Sequence, residues 1–206
     1  MPAIKILIFG LPGAGKTTLA NALATELAIG HAKRVTWFNA DLMRKAYNDW
    51  DFSDAGRERQ ARRMRDSAAI ALDTDYVICD FVAPTQQLRD IFDPDITVWV
   101  DTIQESRYND TNRVFERPST VDFRIVEQAA EKNAVDLARD IVSGRKKQFT
   151  FAAEDIFEEI PGEPENVLLK IPPELAEQMG WKPGDTISVE VVGESIELRL
   201  VKHGTD

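Results

Sequence analysis

The segment from Gly10 to Thr17 has the spacing G-x-x-x-x-G-K-[ST], and it constrains the fold of this chain more than any other stretch. Its glycines let the backbone turn tightly and point N–H groups at phosphate oxygens without obstruction from a Cβ atom. The Lys16 side chain can reach the β- and γ-phosphates of a nucleotide, and the Thr17 hydroxyl can ligate Mg²⁺. The spacing therefore predicts a site for ATP and Mg²⁺. The predicted binding residues are Gly10, Pro12, Gly13, Ala14, Gly15, Lys16, Thr17 and Thr18.

The sequence on either side of this loop has the pattern that such a site requires. The preceding run Ile4–Phe9 is apolar and rich in β-branched residues, which predicts a buried parallel strand. After the loop, Leu19, Leu23 and Leu27 recur every four residues, as on one face of a helix. A strand, a glycine-rich turn and a helix amino terminus together direct backbone amides and the helix dipole at one anion.

Further along the chain, apolar runs alternate with helical patterns. We predict strands at residues 34–38, 76–79, 96–100 and 121–126, with helices between them and after the last. Strands that alternate with helices favour a parallel sheet that is covered on both faces. The predicted fold class is therefore α/β, with a mostly parallel five-stranded sheet between helices.

Composition limits the class of protein. With 206 residues, the chain can form one sizeable core, or one domain with a small addition. Its single cysteine, Cys79, excludes an internal disulfide and favours the reducing cytoplasm. No apolar run approaches the ~20 residues that span a bilayer, and the first strand begins too early for a cleavable signal. We therefore expect a cytoplasmic protein with no membrane partner.

The net charge is −10, yet the basic residues are clustered. A net negative charge argues against broad, sequence-independent binding to nucleic acid. One predicted helix carries five arginines close together, which form either a solvated face or a wall that binds anions. Composition alone favours the solvated face. These residues are Arg57, Arg59, Arg62, Arg63 and Arg65.

Two aspartates lie at or just after the ends of predicted strands. Asp41 follows the second strand, and Asp80 ends the third. The carboxyl ends of parallel strands line the crevice in which open α/β sheets bind ligands. Asp41 could accept a proton from an attacking hydroxyl, hold the water shell of Mg²⁺, or cap the next helix. Asp80 is either a metal-side carboxylate of the Walker B kind or a plain strand end. The predicted metal residues are Thr17, Asp41 and Asp80.

The polar segment 105–118 follows the fourth predicted strand. It carries Arg107, Arg113 and Arg117. In a small-molecule kinase, a mobile lid at this place would bring arginines to the transferring phosphoryl group. A solvated helix is an equally good interpretation. We name Arg107 and Arg113 as the candidate lid residues.

The pattern changes near residue 149. Residues 149–151 could add an edge strand, and residues 154–166 are acidic and interrupted by Pro161, Gly162 and Pro164. A strand at 167–171 and a short helix at 172–179 are predicted next. Residues 186–191 and 195–200 alternate apolar with polar residues, which predicts a β-hairpin. The predicted domains are 1–149, a linker at 150–165, and a small β-hairpin-rich appendage at 166–206.

The amino-terminal part resembles the adenylylsulfate (APS) kinase family of P-loop kinases. Its loop at 10–18 matches the family's G-L-S-G-S/A-G-K-S/T-T except mainly at Pro12. Residues 39–44, N-A-D-L-M-R, keep the last Asp and the Arg of D-G-D-x-x-R. Residues 51–63 match the Phe, the Ser and three arginines of G-F-S-x-x-D-R-x-x-N-x-R-R. Residues 81–84 and 115–118 match F-I-S-P and Y-E-x-P.

The resemblance implies roles for individual residues. Asp41 would be the base for the 3′-hydroxyl of adenylylsulfate, and Lys16 would hold the transferred phosphoryl group. Phe52 would stack on the adenine of the acceptor, and the resemblance favours an anion-binding role for Arg57. The implied acceptor-binding residues are Arg44, Phe52, Arg57, Gln60 and Phe81.

Three features depart from the family's pattern. Asn39 replaces the first Asp of D-G-D, and Gln60 replaces an Asn. The segment between Asp101 and Phe115 is too short for the family's K-G-L-Y…F-T-G-I-D lid. The resemblance implies a kinase that acts on a hydroxyl, most simply that of adenylylsulfate. A hydroxyl of another nucleotide or of a polynucleotide end stays open as the acceptor.

The carboxyl-terminal part resembles half of an AbrB/MazE-type swapped-hairpin domain, in residues 169–176, 179–185 and the hairpin. Two chains of that family interlock, and many members bind DNA. From Glu163 to Asp206 there are nine acidic and four basic residues, a charge of 4 − 9 = −5, which would repel phosphates. We expect homodimerisation through 166–206, with packing on the chain's own kinase domain as the alternative. A nucleotide-sensing DNA-binding regulator is the non-enzymatic hypothesis.

Overall fold

The computed structural model describes residues 2–144, 157–159, 167–173, 176, 181–182, 184–192 and 195–202. The strands are β1 (Ile4–Phe9), β2 (Val35–Asn39), β3 (Tyr76–Asp80), β4 (Ile96–Val100), β5 (Phe123–Ile125), β6 (Phe157–Glu159), β7 (Val167–Leu169), β8 (Thr186–Val192) and β9 (Ser195–Lys202). The helices are α1 (Lys16–Thr25), α2 (Ala40–Ala46), α3 (Asp54–Ala69), α4 (Gln86–Phe92), α5 (Asn109–Val114) and α6 (Ala130–Val142). The chain divides into two compact units, Met1–Gln148 and Phe149–Asp206.

The first unit is built on a five-stranded sheet in the order β2-β3-β1-β4-β5. All four strand pairings are parallel, so the carboxyl ends of the strands lie along one edge. The strand order reverses at β1, which lies between β3 and β4, and ligands of open α/β sheets bind at such a point. The predicted α/β class with a parallel five-stranded sheet is confirmed.

Strand β1 separates two apolar cores because its side chains alternate between the two faces of the sheet. Ile6 and Ile8 are buried with the apolar residues of α1 and α6. Leu7 and Phe9 are buried with apolar residues of α3 and α4. Both faces of β1 are therefore covered, which fixes the start of the following loop.

Helix α1 ends differently from the uniform helical pattern of the sequence. A π-helical turn, Glu26–Gly30, follows it, and the His31 N–H donates to the Glu26 carbonyl at 3.2 Å. A Cβ atom on Gly30 would lie 2.2 Å from a Glu26 carboxylate oxygen, so a larger residue there would require the flexible Glu26 side chain to move. No helix in the described part of the chain is long and apolar enough to cross a membrane.

The second unit contains two antiparallel strand pairs in its described residues. Strands β8 and β9 pair from Val192 opposite Ser195 to Thr186 opposite Lys202. Strand β6 pairs with β7, and the sequence analysis did not predict it because its residues fall within the acidic segment assigned to a linker. The expected edge strand at 149–151 lies outside the described residues. Of the short helix expected at 172–179, the structure describes only residues 172, 173 and 176.

Candidate active site

The phosphate loop is held between β1 and the carboxyl end of β4. Gly10 has φ 146°, and a Cβ atom there would lie 2.3 Å from the Val100 carbonyl oxygen. Thr102, just beyond β4, donates from its hydroxyl to the Ala14 carbonyl at 2.7 Å. Any side chain at position 10 would force the loop away from β4, so the motif's first glycine is a packing requirement of this fold.

The Lys16 side chain is buried against the phosphate loop. Its Nζ donates to the Leu11 carbonyl at 2.8 Å, and the residue is buried. Burial lowers the pKa of Lys16 to about 8, and the nearby carboxylates of Asp80 and Asp41 act in the opposite direction. The ammonium group is thus buried away from water. Its attraction to a phosphate group is stronger in this buried position than it would be at the surface.

Asp80 receives hydrogen bonds from three side chains at the end of β3. Thr17 Oγ1 donates to its Oδ2 at 2.7 Å, and Trp37 Nε1 donates to its Oδ1 at 2.8 Å. Asn39 Nδ2 also donates to Oδ2, at 2.9 Å. Burial raises the pKa of Asp80, whereas these donors and Lys16 oppose that shift. The network fixes both carboxylate oxygens beside the loop.

These residues suit a magnesium ion that is bound together with a nucleotide. Mg²⁺ in such sites uses one or two carboxylates, waters and the phosphates of the substrate rather than a cage of protein ligands. The Thr17 hydroxyl and the Asp80 carboxylate supply oxygen atoms of this kind within hydrogen-bonding distance of each other. In the part of the chain that the structure describes, no group of three or more histidine, cysteine, aspartate or glutamate side chains could hold a metal ion by itself.

Asp41 lies in the first turn of α2 and is exposed. The possible role of Asp41 as the cap of this helix is wrong, because Asn39 Oδ1 accepts the capping hydrogen bond from the Leu42 N–H at 3.0 Å. Asn39 can do this because its amide donates to Asp80 with one atom and accepts from the helix with the other. The carboxylate of Asp41 is therefore not used for capping.

The Arg44 side chain, from α2, packs on the ring of Phe52, which lies in the loop between α2 and α3. The Arg44 guanidinium lies 4.6 Å from the centroid of the Phe52 ring. It is buried and donates to the backbone carbonyls of Asp49 and Asp51, at 3.0 and 2.9 Å. Phe52 is half-exposed, with 52% of its surface accessible. Arg44 thus supports the loop that presents an aromatic ring to solvent.

The other three predicted acceptor residues make contacts within the protein. Arg57 donates to the Phe52 carbonyl at 2.8 Å and to the side chains of Asp110 and Thr111, both at 3.3 Å. Gln60 is buried and donates to the Ala40 carbonyl at 3.3 Å. Phe81 is buried with its ring at an angle to that of Phe92, with 5.5 Å between the ring centroids.

The five arginines of α3 are all paired with carboxylates. Neither of the two interpretations from the sequence describes them fully, because the guanidinium groups are neither simply solvated nor open to an anion. Paired charges of this kind attract a polyanion much less than a free basic face would. The pairs are Arg57–Asp110, Arg59–Asp49, Arg59–Asp51, Arg62–Glu58, Arg63–Asp49 and Arg65–Asp66.

The candidate lid contains the short helix α5. Arg107 stacks on the neighbouring Tyr108 ring and donates to its hydroxyl at 2.7 Å, and Arg113 is exposed. Arg117 donates to Gln104. A cavity of about 240 Å³ is lined by residues of this region together with Leu11 of the phosphate loop.

Arg89, which was not predicted as a site residue, links the carboxyl-terminal end of the candidate lid to the segment that precedes α4. Its Nη1 donates to the Ala83 carbonyl at 3.0 Å, and its Nη2 donates to the Glu116 carbonyl at 3.2 Å. The Glu116 carboxylate in turn accepts from the Gln86 N–H at 2.7 Å. Arg89 thereby joins the two family motifs at 81–84 and 115–118. Its sequence signal is weak, since an arginine in a short helix is usually exposed.

A family comparison agrees with this geometry. The sequence model of the adenylylsulphate kinase family matches residues 2–119, which is more than half of the chain. The chain belongs to the adenylylsulphate kinase family. A second model, for MazE, the bacterial antitoxin of antidote-toxin recognition, matches residues 171–206.

The curated relatives of this family member include the adenylyl-sulfate kinases of Prochlorococcus marinus and Bacillus pumilus. The enzyme of Prochlorococcus marinus is 29% identical over 201 residues, covering 97% of this chain and 87% of that protein. The enzyme of Bacillus pumilus is 38% identical over 88 residues, covering 42% of this chain and 44% of that protein. The similarity to the Bacillus enzyme thus spans less than half the length of either chain.

Solved structures show the same fold at low identity. An APS kinase of Mycobacterium tuberculosis, solved in complex with AMPPNP and APS, has a TM-score of 0.59 and 18% identity, covering 69% of this chain and 98% of that one. A hexameric APS kinase from Thiobacillus denitrificans has a TM-score of 0.55 and 23% identity, covering 72% of this chain and 30% of that one. At these identities, the likeness establishes the fold alone.

Proposed function

We propose that this chain is an ATP-dependent kinase that transfers the γ-phosphoryl group of ATP to the 3′-hydroxyl of adenylylsulfate. The observation that carries the proposal is the phosphate loop of an adenylylsulphate kinase family member, with Lys16 buried in it and Thr17 bonded to Asp80. The named relatives act on adenylylsulfate, which supports that acceptor here.

On the donor side, the loop amides and Lys16 bind the β- and γ-phosphates, as the spacing of the loop requires. Thr17 and Asp80 would hold Mg²⁺, and a bound ion would neutralise charge on the phosphates. Trp37 and Asn39 orient the Asp80 carboxylate through their hydrogen bonds. Little covalent chemistry is left to the protein, so positioning and charge stabilisation carry the catalysis.

On the acceptor side, Asp41 takes the proton of the attacking 3′-hydroxyl. The new bond joins the 3′-oxygen to the γ-phosphorus, the bond from that phosphorus to the β,γ-bridging oxygen breaks, and ADP leaves. Phe52 stacks on the acceptor's base with Arg44 behind it. We assign Arg57, Gln60 and Phe81 to the same side, where they shape the acceptor pocket, and Arg107 and Arg113 to the lid.

The test is an ADP-release assay with ATP, Mg²⁺ and one acceptor at a time: adenylylsulfate, AMP, adenosine and a short oligonucleotide. Adenylylsulfate should stimulate turnover most. Asp41→Asn should lower kcat by about 10²–10⁴-fold while ATP binding is retained. Glu131→Gln, which also removes an exposed carboxylate from a first helical turn, should leave kcat unchanged. Turnover that no acceptor stimulates would exclude the proposed function.

A polynucleotide acceptor is the weaker alternative. It would need basic side chains along the strand, and every arginine of α3 is paired with a carboxylate. Stimulation by the oligonucleotide and not by adenylylsulfate would reverse this preference.

We further propose that residues 166–206 pair two copies of the chain and that the enzyme works in the cytoplasm. The match to the MazE model and the small size of this segment support the pairing, because a short β segment buries little apolar surface alone. Light scattering of the full chain and of a chain that ends at residue 148 tests it. A full chain that stays monomeric at micromolar concentration would contradict it.

A further inference from the structure

Arg117 differs from the arginines of α3 in the partners that it has. Its guanidinium donates to the Gln104 side-chain oxygen and lies 5.9 Å from the centroid of the Trp99 ring. Neither partner carries a charge, whereas each α3 arginine faces a carboxylate. The positive charge of Arg117 is therefore not neutralised by these contacts, and a carboxylate, phosphate or sulfate group would bind it well.

Arg117 lines the cavity of the candidate lid region, together with Leu11, Trp99, Asp101, Gln104 and Asn112. The acid in this lining, Asp101, is already bound by Arg124, at 2.6 and 3.0 Å. The Asn112 amide is bonded to the Ser106 backbone, to which it donates at 2.8 Å and from which it accepts at 3.0 Å. Arg117 and its neighbour Gln104 are thus the polar groups of this lining that suit an anion.

The cavity has the size and place of a subsite. Its volume is about 240 Å³. It is smaller than the ~300–1,000 Å³ of most sites that enclose a whole small molecule. Leu11, at one wall, is also the residue whose carbonyl accepts from Lys16. The cavity therefore adjoins the phosphate loop and suits part of a substrate.

We propose that this cavity binds the acidic group of the acceptor and that Arg117 is the residue that selects an acidic acceptor over a neutral one. For adenylylsulfate, that group is the 5′-phosphosulfate. This inference rests on the proposed function, since it names a subsite for the same acceptor. Gln104 holds the guanidinium in place without neutralising it, because its amide oxygen accepts but carries no charge.

Calorimetry tests the proposal on the full chain, with the phosphate loop saturated by AMPPNP and Mg²⁺. The probes are AMP and adenosine, which differ only in the acidic group. The wild-type chain should bind AMP at least tenfold more tightly than adenosine. Arg117→Gln should reduce this ratio to near one, and Gln104→Glu should do the same, because its carboxylate would neutralise Arg117. Arg139→Gln, at an exposed arginine of α6, should leave the ratio unchanged.

Kinetic measurements separate this inference from the proposed function. With adenylylsulfate, Arg117→Gln should raise the KM for the acceptor by about 10- to 100-fold, the range for one lost charge-assisted hydrogen bond, with the KM for ATP unchanged. Turnover with an unaltered acceptor KM would refute the subsite and leave the kinase. If the chain prefers AMP through Arg117 but adenylylsulfate does not stimulate turnover, the subsite is retained and adenylylsulfate is excluded as the acceptor. A wild-type chain that binds AMP and adenosine equally would overturn the proposal.

Discussion

Replacing Lys16 with methionine is expected to stabilise the nucleotide-free protein while it abolishes ATP binding. The reason is the burial of the ammonium group, which lowers the pKa of Lys16 from 10.5 to about 8. A lysine whose pKa is lowered by folding carries a free-energy cost at every pH below the lowered value. That cost disappears as the pH rises above the value for the unfolded chain.

The size of the effect follows from linkage. A pKa shift from 10.5 to about 8 costs the folded state about 3 kcal/mol at pH 7, at about 1.4 kcal/mol per unit. Methionine removes this cost but also loses the hydrogen bond to the Leu11 carbonyl, which is worth at least about 1.5 kcal/mol because its donor is charged. The variant should therefore be more stable by at most about 1.5 kcal/mol at pH 7. At pH 9.5 the remaining cost is only about 1.4 kcal/mol, so the gain should almost vanish.

Urea unfolding of the wild-type chain and of Lys16→Met, at pH 7 and pH 9.5, measures both quantities. The difference between the two proteins removes the contribution of the other titrating groups that do not interact with Lys16. Lys132→Met, at an exposed lysine of α6, is the control and should show no gain at either pH. A variant that is less stable than wild type at pH 7, or a difference that stays constant between the two pH values, would refute the reasoning.

Three further predictions concern single residues. Gly10→Ala should lower the free energy of unfolding by roughly 3 kcal/mol or more in the same urea assay, because its Cβ would meet the Val100 carbonyl. The control Gly144→Ala, at a glycine with φ 68° and no atom within 4 Å, should lower it by only about 1 kcal/mol. Asp80→Asn should raise the Mg²⁺ concentration for half-maximal AMPPNP binding about tenfold or more, and an unchanged value would contradict a metal role; the control Asp90→Asn should not change it. Cys79 is buried, which raises the pKa of its thiol, so iodoacetamide should react with the native chain on the order of a hundredfold more slowly than with the unfolded chain, and equal rates would refute its burial.

Most of the fold could be predicted from local patterns in the sequence. The strand Ile4–Phe9, the loop and the first helix were predictable because a hydrophobic period and a short motif lie in contiguous residues. Strand β6 was not predictable, since its residues lie in an acidic stretch whose prolines and glycine indicate a linker. Its pairing with β7 depends on a contact that the local sequence does not encode.

For the candidate site too, some features were predictable from local sequence and the side-chain partners were not. The position of Asp80 next to Thr17 followed from its place at a strand end. The Trp37 hydrogen bond to Asp80 did not, because alternation along β2 predicts which side chains are buried but not their partners. The Arg57–Asp110 pair joins residues 53 positions apart, and only the folded chain shows that α3 reaches the lid.

The Arg89 contacts determine how much of the lid region can change its conformation. Because residues 115–117 are held to 83–86 by Arg89 and Glu116, they belong with the rigid part of the domain. A rearrangement that admits the acceptor must then be confined to residues 102–114, which include a helix of six residues, about 9 Å long. Arg57 joins it to α3 through the partly exposed ion pair with Asp110 and a hydrogen bond to the Thr111 hydroxyl. Substrate exchange in this enzyme would thus need the displacement of one short helix and the release of these two Arg57 contacts, a small motion that suits rapid opening.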